Sequence, residues 1–157
     1  MIVKVAKEDK TELMSSAERD AFDAYMFDIK YPGTSIFVVN QLPDRFTIEV
    51  DVIVNKQIID LTGSKIDNSL SKPVKEAILN FANGSEFGGV FSVNEIEDVI
   101  QAVDGVLSVR LMHISALAYS GNTTIVYDLA SGINILQYVS EAGHISLSED
   151  DLTINYS

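Results

Sequence analysis

Residues 91–111, FSVNEIEDVIQAVDGVLSVRL, change their hydrophobic period from that of a helix to that of a strand. The first half carries apolar residues at three- and four-residue spacing, which is typical of an amphipathic helix. These residues are Val93, Ile96, Val99, Ile100 and Val103. Gly105 stands where a helix needs a left-handed C′ residue, and the period becomes two from Val106 onward. The stretch predicts a helix near 92–103 that turns directly into a core strand near 106–114.

The two ends of this stretch predict further detail. Ser92 and Glu95 match the S-x-x-E capping box, in which each side chain bonds the backbone N–H of the other residue. In the strand, alternation predicts two opposite faces. One face would hold Leu107, Val109, Leu111 and His113, and the other Ser108, Arg110 and Met112.

Four carboxylates crowd the same stretch and raise the question of an acidic active site or a metal site. They are Glu95, Glu97, Asp98 and Asp104. On a helix they project away from the apolar stripe, and acids in the first turns favour the helix N-terminus. We interpret them as capping or solvated residues and expect no catalytic or metal role.

Upstream, residues 11–28 read as an amphipathic helix, with a capping box formed by Asp9 and Glu12. Its apolar stripe would be Leu13, Met14, Ala17, Ala21, Ala24 and Tyr25. Pro32 and Gly33 suit the centre of a type II turn. Residues 35–40 form a short apolar run of strand type, and residues 46–54 alternate cleanly as a core strand.

A further helix is predicted near 66–83, with its stripe on Leu70, Val74, Ala77, Ile78 and Phe81. Pro73 either lies in the first turn of a helix that starts near Ser71 or kinks a longer one. After residue 116, short strand candidates are separated by turn-forming residues, which indicates a β meander ending in a hairpin around 148–151.

These elements predict an α+β fold, with helices packed on one face of a mixed β-sheet, followed by a small C-terminal β meander. We expect an α+β domain over residues 1–115 and a C-terminal β appendage over residues 116–157.

Composition narrows the classes of function. Cysteine is absent, which excludes disulfides and thiolate chemistry. No apolar run is long enough to span a bilayer, and the first residues do not read as a signal peptide, so we expect no membrane association. The formal net charge of −12 is uneven: residues 1–75 carry −2 and residues 76–157 carry −10. Nucleic-acid binding is not expected, because phosphate contacts need Lys and Arg.

Side chains able to do chemistry are sparse and lack known spacing. His113 and His144 belong to no metal-ligand motif, and the glycine-rich loop at 83–89 lacks the phosphate-binding pattern. Glu49 and Asp51 have the spacing of a magnesium pair, but they precede both Gly-Ser pairs that a nucleotidyl-transfer site would need. We expect no catalytic, cofactor-binding or metal-binding residues.

The order of motifs resembles a known family. The motifs are YPGTSIFVVNQLPDRFTIEVDVIV (31–54), VKEAILNFA (74–82), GSEFGGVFSVNEIEDVIQAVDGVLSVRL (84–111) and EAGHISLSEDDLTINY (141–156). Together they look like the C-terminal part of phage baseplate J-like proteins, the wedge components of contractile tails and related injection machines. The matching structural residues are Pro32, Gly33, Ser92, Glu95, Gly105 and Val106.

The resemblance implies a non-catalytic structural subunit of a phage tail or baseplate. Its partners would be other tail proteins and copies of itself in a ring, and it would lie in the virion tail, or in the host cytoplasm during assembly. Ile133, Ile135 and Tyr138 are candidate interface residues, unless they pack on the chain's own sheet. Two alternatives stay open: a small cytoplasmic nucleotide-binding or nucleotidyltransferase-like enzyme, and an acidic module that neutralises a basic partner.

Overall fold

A computed structural model describes residues 1–7, 12–67 and 71–157. Within these residues the chain forms three α-helices and ten β-strands. The helices are α1 (Ser16–Ile29), α2 (Pro73–Asn83) and α3 (Val93–Gln101). The strands are β1 (Ile2–Lys4), β2 (Phe37–Val39), β3 (Asp44–Val54), β4 (Val90–Ser92), β5 (Val106–Leu117), β6 (Thr123–Asp128), β7 (Ile133–Asn134), β8 (Gln137–Val139), β9 (Ile145–Ser146) and β10 (Leu152–Tyr156). A short 3₁₀ helix, Glu149–Asp151, precedes β10.

The main sheet is mixed and has the strand order β10-β3-β5-β6-β7, with β9 also paired to β3. β10 and β9 run parallel to β3, whereas β5, β6 and β7 join through antiparallel pairs. Two small sheets, β1-β2 and β4-β8, lie outside it. The predicted α+β class is confirmed.

The core lies between one face of the main sheet and the helices α2 and α3. Every second residue of β3 is buried, as the alternation predicts: Phe46, Ile48, Val50, Val52 and Val54. The helices add Val74, Ile78 and Ala82 from α2, and Val93, Ile96 and Ile100 from α3. The predicted core strand near 46–54 is therefore confirmed, and the predicted stripe of α3 is confirmed at these three positions.

The predicted faces of β5 are correct for residues 108–111 but wrong at Leu107 and from Met112 onward, because two irregularities interrupt the pairing of β5 with β3. Ile53 pairs with Ser108 but Val54 pairs with Val106, so Leu107 is an extra residue. Glu49 pairs with His113 but Val50 pairs with Leu111, which makes Met112 a second one. An extra residue reverses the inward and outward positions that follow it. Leu107 is consequently 67% exposed.

The helix starts differ from the predicted capping. Ser92 is the N-cap of α3, but in the described structure its side chain makes no cap hydrogen bond, so the Ser92–Glu95 capping box is wrong. A capping box does exist at the start of α1, where Ser15 and Glu18 bond each other's backbone N–H. Asp9, half of the box predicted there, lies outside the described residues.

Both other helices are shorter than predicted. α2 begins at Pro73. The proline therefore lies in the first turn of the helix, which is the first of the two alternatives given for it above. Leu70, the first member of its predicted stripe, lies outside the described residues. α1 begins at Ser16, and its predicted stripe is wrong: Ala17, Ala21, Ala24 and Tyr25 are all exposed.

The C-terminal strands complete the main sheet. The predicted hairpin around 148–151 is wrong, because β9 and β10 both run parallel to β3 and the 3₁₀ helix connects them. The domain boundary predicted after residue 115 falls inside β5, so strands from both predicted units hydrogen-bond in one sheet. Across the described ranges, the helices are too short and too polar to cross a membrane.

Candidate assembly surface

Residues 1–40, as far as they are described, form a unit that we call the N-terminal arm. In it β1 pairs with β2 in a two-stranded parallel sheet separate from the main sheet. Backbone bonds join Phe37 N–H to the Met1 carbonyl and Val5 N–H to the Val39 carbonyl, each at 2.9 Å. The Met1 amino group also donates to the Ser35 carbonyl at 2.8 Å. These contacts hold the two ends of the arm together.

The Arg19 side chain connects helix α1 to β2. The Arg19 guanidinium donates to the Val38 carbonyl at 3.1 Å and pairs with Asp23 at the same distance. The Asn40 side chain accepts from Met14 N–H and donates to the Val5 carbonyl, so it ties the end of β2 to both neighbours. The arm therefore satisfies much of its polar backbone internally.

Charges on the arm are also paired internally. The Lys7 ammonium lies 3.3 Å from the Glu18 carboxylate and 3.6 Å from that of Glu12. The Ser15 backbone N–H donates to Glu18, and this bond lowers the pKa of the Glu18 carboxyl below its usual value. Asp20 and Asp28 of α1 are exposed as well, so the arm presents acidic side chains beside its apolar ones.

Large apolar side chains of the arm are unusually exposed. All fourteen residues of α1 are described, and none of them is buried. We define the arm surface as six side chains, each more than half exposed: Ile2, Tyr25, Phe27, Ile29, Tyr31 and Phe37. Single exposed apolar residues are ordinary, whereas several on one small unit make that unit the candidate for a protein contact.

A groove of about 310 Å³ runs between α1 and β2. Met26, Phe27 and Phe37 give it an apolar lining, and the Lys30 ammonium lies 4.4 Å from the centre of the Phe27 ring. A cation over an aromatic face keeps part of the ring covered while leaving its edge free. The groove is therefore amphipathic.

Among the described residues, Lys4 makes the polar contact between the arm and the rest of the fold. The Lys4 ammonium donates to the Ser140 carbonyl at 2.6 Å. The alkyl chain of Lys4 also lies against Gly143, where an added Cβ would come within 3.1 Å of its Cδ. We call the residues 44–67 and 71–157 the body, and the place where Lys4 meets Ser140 and Gly143 the arm seat.

The arm seat rests on a buried polar corner of the body. The carboxylate of Asp44, fully buried, accepts from the Tyr138 hydroxyl at 2.8 Å and from Glu141 N–H at 2.9 Å. The Ser140 hydroxyl donates to the His144 carbonyl at 2.8 Å and accepts from Gly143 N–H. Burial, with the carboxylate beside it, raises the pKa of Tyr138 above its usual range. Within the described structure, the other oxygen of the Asp44 carboxylate and both ring nitrogens of His144 are buried without a hydrogen-bond partner, so the corner is only partly satisfied.

The three residues predicted at an interface differ in how exposed their side chains are. Tyr138 is 8% exposed and packs its ring edge-on against Phe46, so its assignment to an interface is wrong. Ile133 is half-buried in β7, and Ile135 is 41% exposed. The neighbours Leu136 and Val139 are more exposed than either of these isoleucines.

The predicted structural residues fall only partly where they were expected. Pro32 and Gly33 form a turn in which Thr34 N–H donates to the Tyr31 carbonyl and Gly33 has φ +82°, as a type II turn requires. Gly105 has φ +93°, but it follows the C-cap Ala102 by three residues and is not the C′ residue. Val106 begins β5, as predicted.

The side chains considered for catalysis or metal binding do not lie close to one another. Among the described residues, no group of three or more His, Cys, Asp or Glu side chains could hold a metal ion. His113 lies 3.7 Å from the Asp128 carboxylate on neighbouring strands. His144 is buried against Phe87, with ring centres 5.5 Å apart. The carboxylates of α3 and the two histidines therefore stand at separate places.

No known protein-family model matches the chain, and no curated protein matches it.

Sequence reasoning missed the arm as a separate unit. One signal lay in MIVK at residues 1–4, a short apolar run of strand type, for which SIFVVN at 35–40 is a partner of similar length. A second signal lay in α1, where Phe22, Met26, Phe27 and Ile29 spread apolar character beyond one stripe.

Proposed function

We propose that the chain is a structural subunit of a phage tail or baseplate-type injection apparatus, acting by protein–protein assembly without catalysis. The observation that carries the proposal is the arm surface, six large apolar side chains exposed on a unit that has little core of its own. The order of sequence motifs supports the choice of apparatus, because it resembles that of baseplate J-like proteins.

Physical reasons favour a partner on the arm. An isolated two-stranded sheet is marginally stable in water, and a helix gains most of its stability from packing an apolar face. Here α1 buries no residue fully, and Tyr31 is 83% exposed. A protein surface that covers these side chains would stabilise the arm and remove its apolar area from water.

The partners proposed are other tail or baseplate proteins and further copies of the chain in a ring. Residues 76–157 carry a charge of −10, which opposes close contact between two such regions at low salt. Residues 1–75 carry only −2. Contacts through the arm avoid most of this repulsion.

The test is whether the chain sediments with assembled tail particles. Cells that encode it are induced to produce particles, which are separated by density gradient, and the chain is quantified by mass spectrometry. We expect it in the particle fraction, and we expect Phe27→Ser to reduce that amount severalfold. Leu107→Ser is the matched control, because Leu107 is 67% exposed and Phe27 is 68% exposed. A chain that stays in the light fraction beside complete particles would contradict the proposal.

The alternatives make different predictions. A nucleotide-binding enzyme would melt at a higher temperature in millimolar Mg²⁺ and nucleotide, because a ligand that binds the folded state stabilises it. An acidic module would lose its partner at high salt, since screening weakens contacts between exposed charges. An apolar contact through the arm predicts neither effect.

A further inference from the structure

We propose that protonation of the buried His144 ring opens the turn of residues 140–144 and so frees the N-terminal arm from the arm seat. The fold would then hold the arm against the body above neutral pH and release it in acid. This adds a regulation of the arm to the function proposed above. Its test uses the purified chain alone, so it and the assignment to a tail apparatus can fail separately.

The His144 ring is buried without a hydrogen-bonding partner. His144 is 3% exposed, and neither ring nitrogen has a partner within the described structure. Its ring neighbour is Phe87, with ring centres 5.5 Å apart. A neutral imidazole here leaves one donor and one acceptor unpaired, whereas an imidazolium would leave two donors and a charge unpaired. Because burying an unpaired charge costs far more than burying an unpaired neutral group, the closed turn favours the neutral ring.

The turn of residues 140–144 couples this ring to the arm seat. The Ser140 hydroxyl donates to the His144 carbonyl at 2.8 Å and accepts from Gly143 N–H at 3.1 Å, so the turn is closed on itself. The carbonyl of the same serine accepts from the Lys4 ammonium. A Cβ placed on Gly143 would lie 3.0 Å from Cζ of Phe87 and 3.1 Å from Cδ of Lys4. A movement of the turn that exposes His144 therefore also displaces the atoms that hold Lys4.

The charged groups around the turn do not pair with the ring. On the elements packed around it they are Lys4 of β1, Asp44 of β3, Lys75 and Glu76 of α2, Glu86 beside Phe87, and Glu141 within the turn. One oxygen of the Asp44 carboxylate accepts from Tyr138 and from Glu141 N–H. Its other oxygen and both ring nitrogens have no partner in the part of the chain that is described, so the ring and this carboxylate do not bond each other. Protonation in place would add a positive charge to a turn that already holds the Lys4 ammonium.

The arm can leave its seat as a unit. β1 pairs with β2, and the Arg19 and Asn40 side chains join the segment of α1 to this sheet. These bonds lie within the arm and survive its release. The side-chain oxygen of Gln41, in the connection between arm and body, is buried without a partner in the described structure. Since an unpaired buried acceptor is unfavourable, its return to water assists the opening.

The direction of the pH dependence follows from where the ring can carry a proton. The closed turn holds the neutral ring, and the open turn places it in water, where histidines titrate near pH 6.5. The open form therefore binds a proton that the closed form does not, and acid shifts the equilibrium toward the open form. Between pH 8 and pH 5 this linkage raises the ratio of open to closed molecules by up to about thirtyfold.

Two nitroxide labels measure the position of the arm, because the sequence has no cysteine of its own to be labelled. Ala24→Cys places one label on α1, and Asn122→Cys places the other on the body. Both native side chains are exposed and uncharged, so these substitutions remove no titratable group. The distance between the labels is measured by double electron–electron resonance at pH 8 and pH 5, in buffers that keep their pH on freezing.

We expect one narrow distance at pH 8 and, at pH 5, a second population with longer and broader distances, severalfold larger than at pH 8. His144→Phe puts in the same place a ring that cannot be protonated, and it should keep the narrow distance at both pH values. His113→Phe is the matched control, because it removes the other histidine of the sequence, and it should retain the second population at pH 5.

His144→Gln separates protonation from packing. Glutamine is polar but does not titrate, so the label distances of this variant should be the same at both pH values, whether or not its turn is less stable. Circular dichroism at each pH shows that the variants are folded. Identical distances at pH 8 and pH 5 in the native chain would overturn the proposal. A second population at pH 5 in both His144 variants would do the same, as would an arm that tightens in acid, because the charged ring would then have found an acceptor.

Discussion

The Tyr138 hydroxyl donates a hydrogen bond of 2.8 Å to the Asp44 carboxylate in the interior of the fold, between residues 94 positions apart. Asp44 is the first residue of β3, and Tyr138 lies in the small β4-β8 sheet. The bond therefore fastens the small sheet to the core strand, directly beneath the arm seat.

Tyr138→Phe should lower the free energy of unfolding by about 1–3 kcal/mol, because it removes one of two donors to a buried carboxylate. Urea denaturation at pH 7 measures the change. Tyr119→Phe is the control: Tyr119 is 52% exposed, and its change should stay within about 0.5 kcal/mol. Equal effects of the two substitutions would contradict the role of the bond.

Gly105→Ala should destabilise the fold by two separate effects. Its φ of +93° strains a residue that has a Cβ, and that Cβ would lie 2.8 Å from Cγ2 of Ile58. Strain of this kind costs about 1–3 kcal/mol, and the contact adds to it. Gly33→Ala shares the positive φ but has open space around it, so thermal unfolding should show a clearly smaller loss. A larger loss at Gly33 would exclude the close approach of Ile58.

The irregular pairing of β5 predicts opposite results for two leucines that simple alternation places on one face. Leu111 is 1% exposed, and Leu111→Ala should cost about 2–5 kcal/mol through lost burial and a cavity. Leu107 is 67% exposed, and Leu107→Ala should cost less than about 0.5 kcal/mol. Chemical denaturation of the two variants decides the register, because an uninterrupted ladder would give them similar values.

The capping boxes predict different effects of two serine substitutions. Ser15 caps α1 with its side chain, so Ser15→Ala should weaken the first turn of α1 by about 0.5–2 kcal/mol. Ser92 makes no such bond in the described structure, and Ser92→Ala should leave the start of α3 nearly unchanged. Hydrogen exchange of the first amides of each helix measures both effects. If Ser92→Ala speeds exchange at the first amides of α3 while Ser15→Ala has no effect on α1, the result would instead support the capping box predicted for Ser92 and Glu95.

The Arg45–Asp151 pair predicts a dependence of stability on pH. The guanidinium donates two bonds to the carboxylate, at 2.6 and 2.7 Å, and these bonds lower the pKa of Asp151 below its usual value. A lowered folded-state pKa means that the stabilisation is complete above the unfolded-state pKa of about 3.9 and is lost as the pH falls through the folded-state pKa. Asp151→Asn should therefore destabilise the fold at pH 7, and the difference from the native chain should close below about pH 4.

Denaturation at several pH values checks the Asp151 prediction, and Arg45→Gln is its control. In the Arg45→Gln background, Asp151→Asn should lose most of its effect at pH 7, because the partner is already absent. A pH-dependent difference that persists without Arg45 would assign the effect to another group. The magnitude should be modest, since Arg45 itself is 58% exposed and solvent screens the pair.

Features that depend on neighbouring residues alone could be predicted from the sequence. The alternation of β3 buries Phe46 through Val54 because side chains of any strand point alternately to two faces. The turn at Pro32 and Gly33 follows from the fixed φ of one residue and the left-handed φ of the other. The switch of period around Gly105 likewise marks where α3 gives way to β5.

Features that depend on a distant partner could not be predicted in this way. The position of the extra residues Leu107 and Met112 is visible only against β3, because a bulge is a property of a pair of strands. Tyr138 looks like an exposed strand residue until Asp44, far away in sequence, provides its buried acceptor. The exposed face of α1 was expected to be covered, since periodicity shows which residues share a face but not whether anything packs on it.

The sequence by itself determined the α+β class, the core strand β3 and the helix–strand elbow, because hydrophobic period and turn chemistry act over a few residues. Only the tertiary structure decided that β10 lies parallel to β3, that residues 1–7 and 12–40 form a separate arm, and that Lys4 holds this arm to Ser140. Each of these features depends on contacts between segments far apart in the chain. The free energy of such contacts cannot be read from a local sequence pattern.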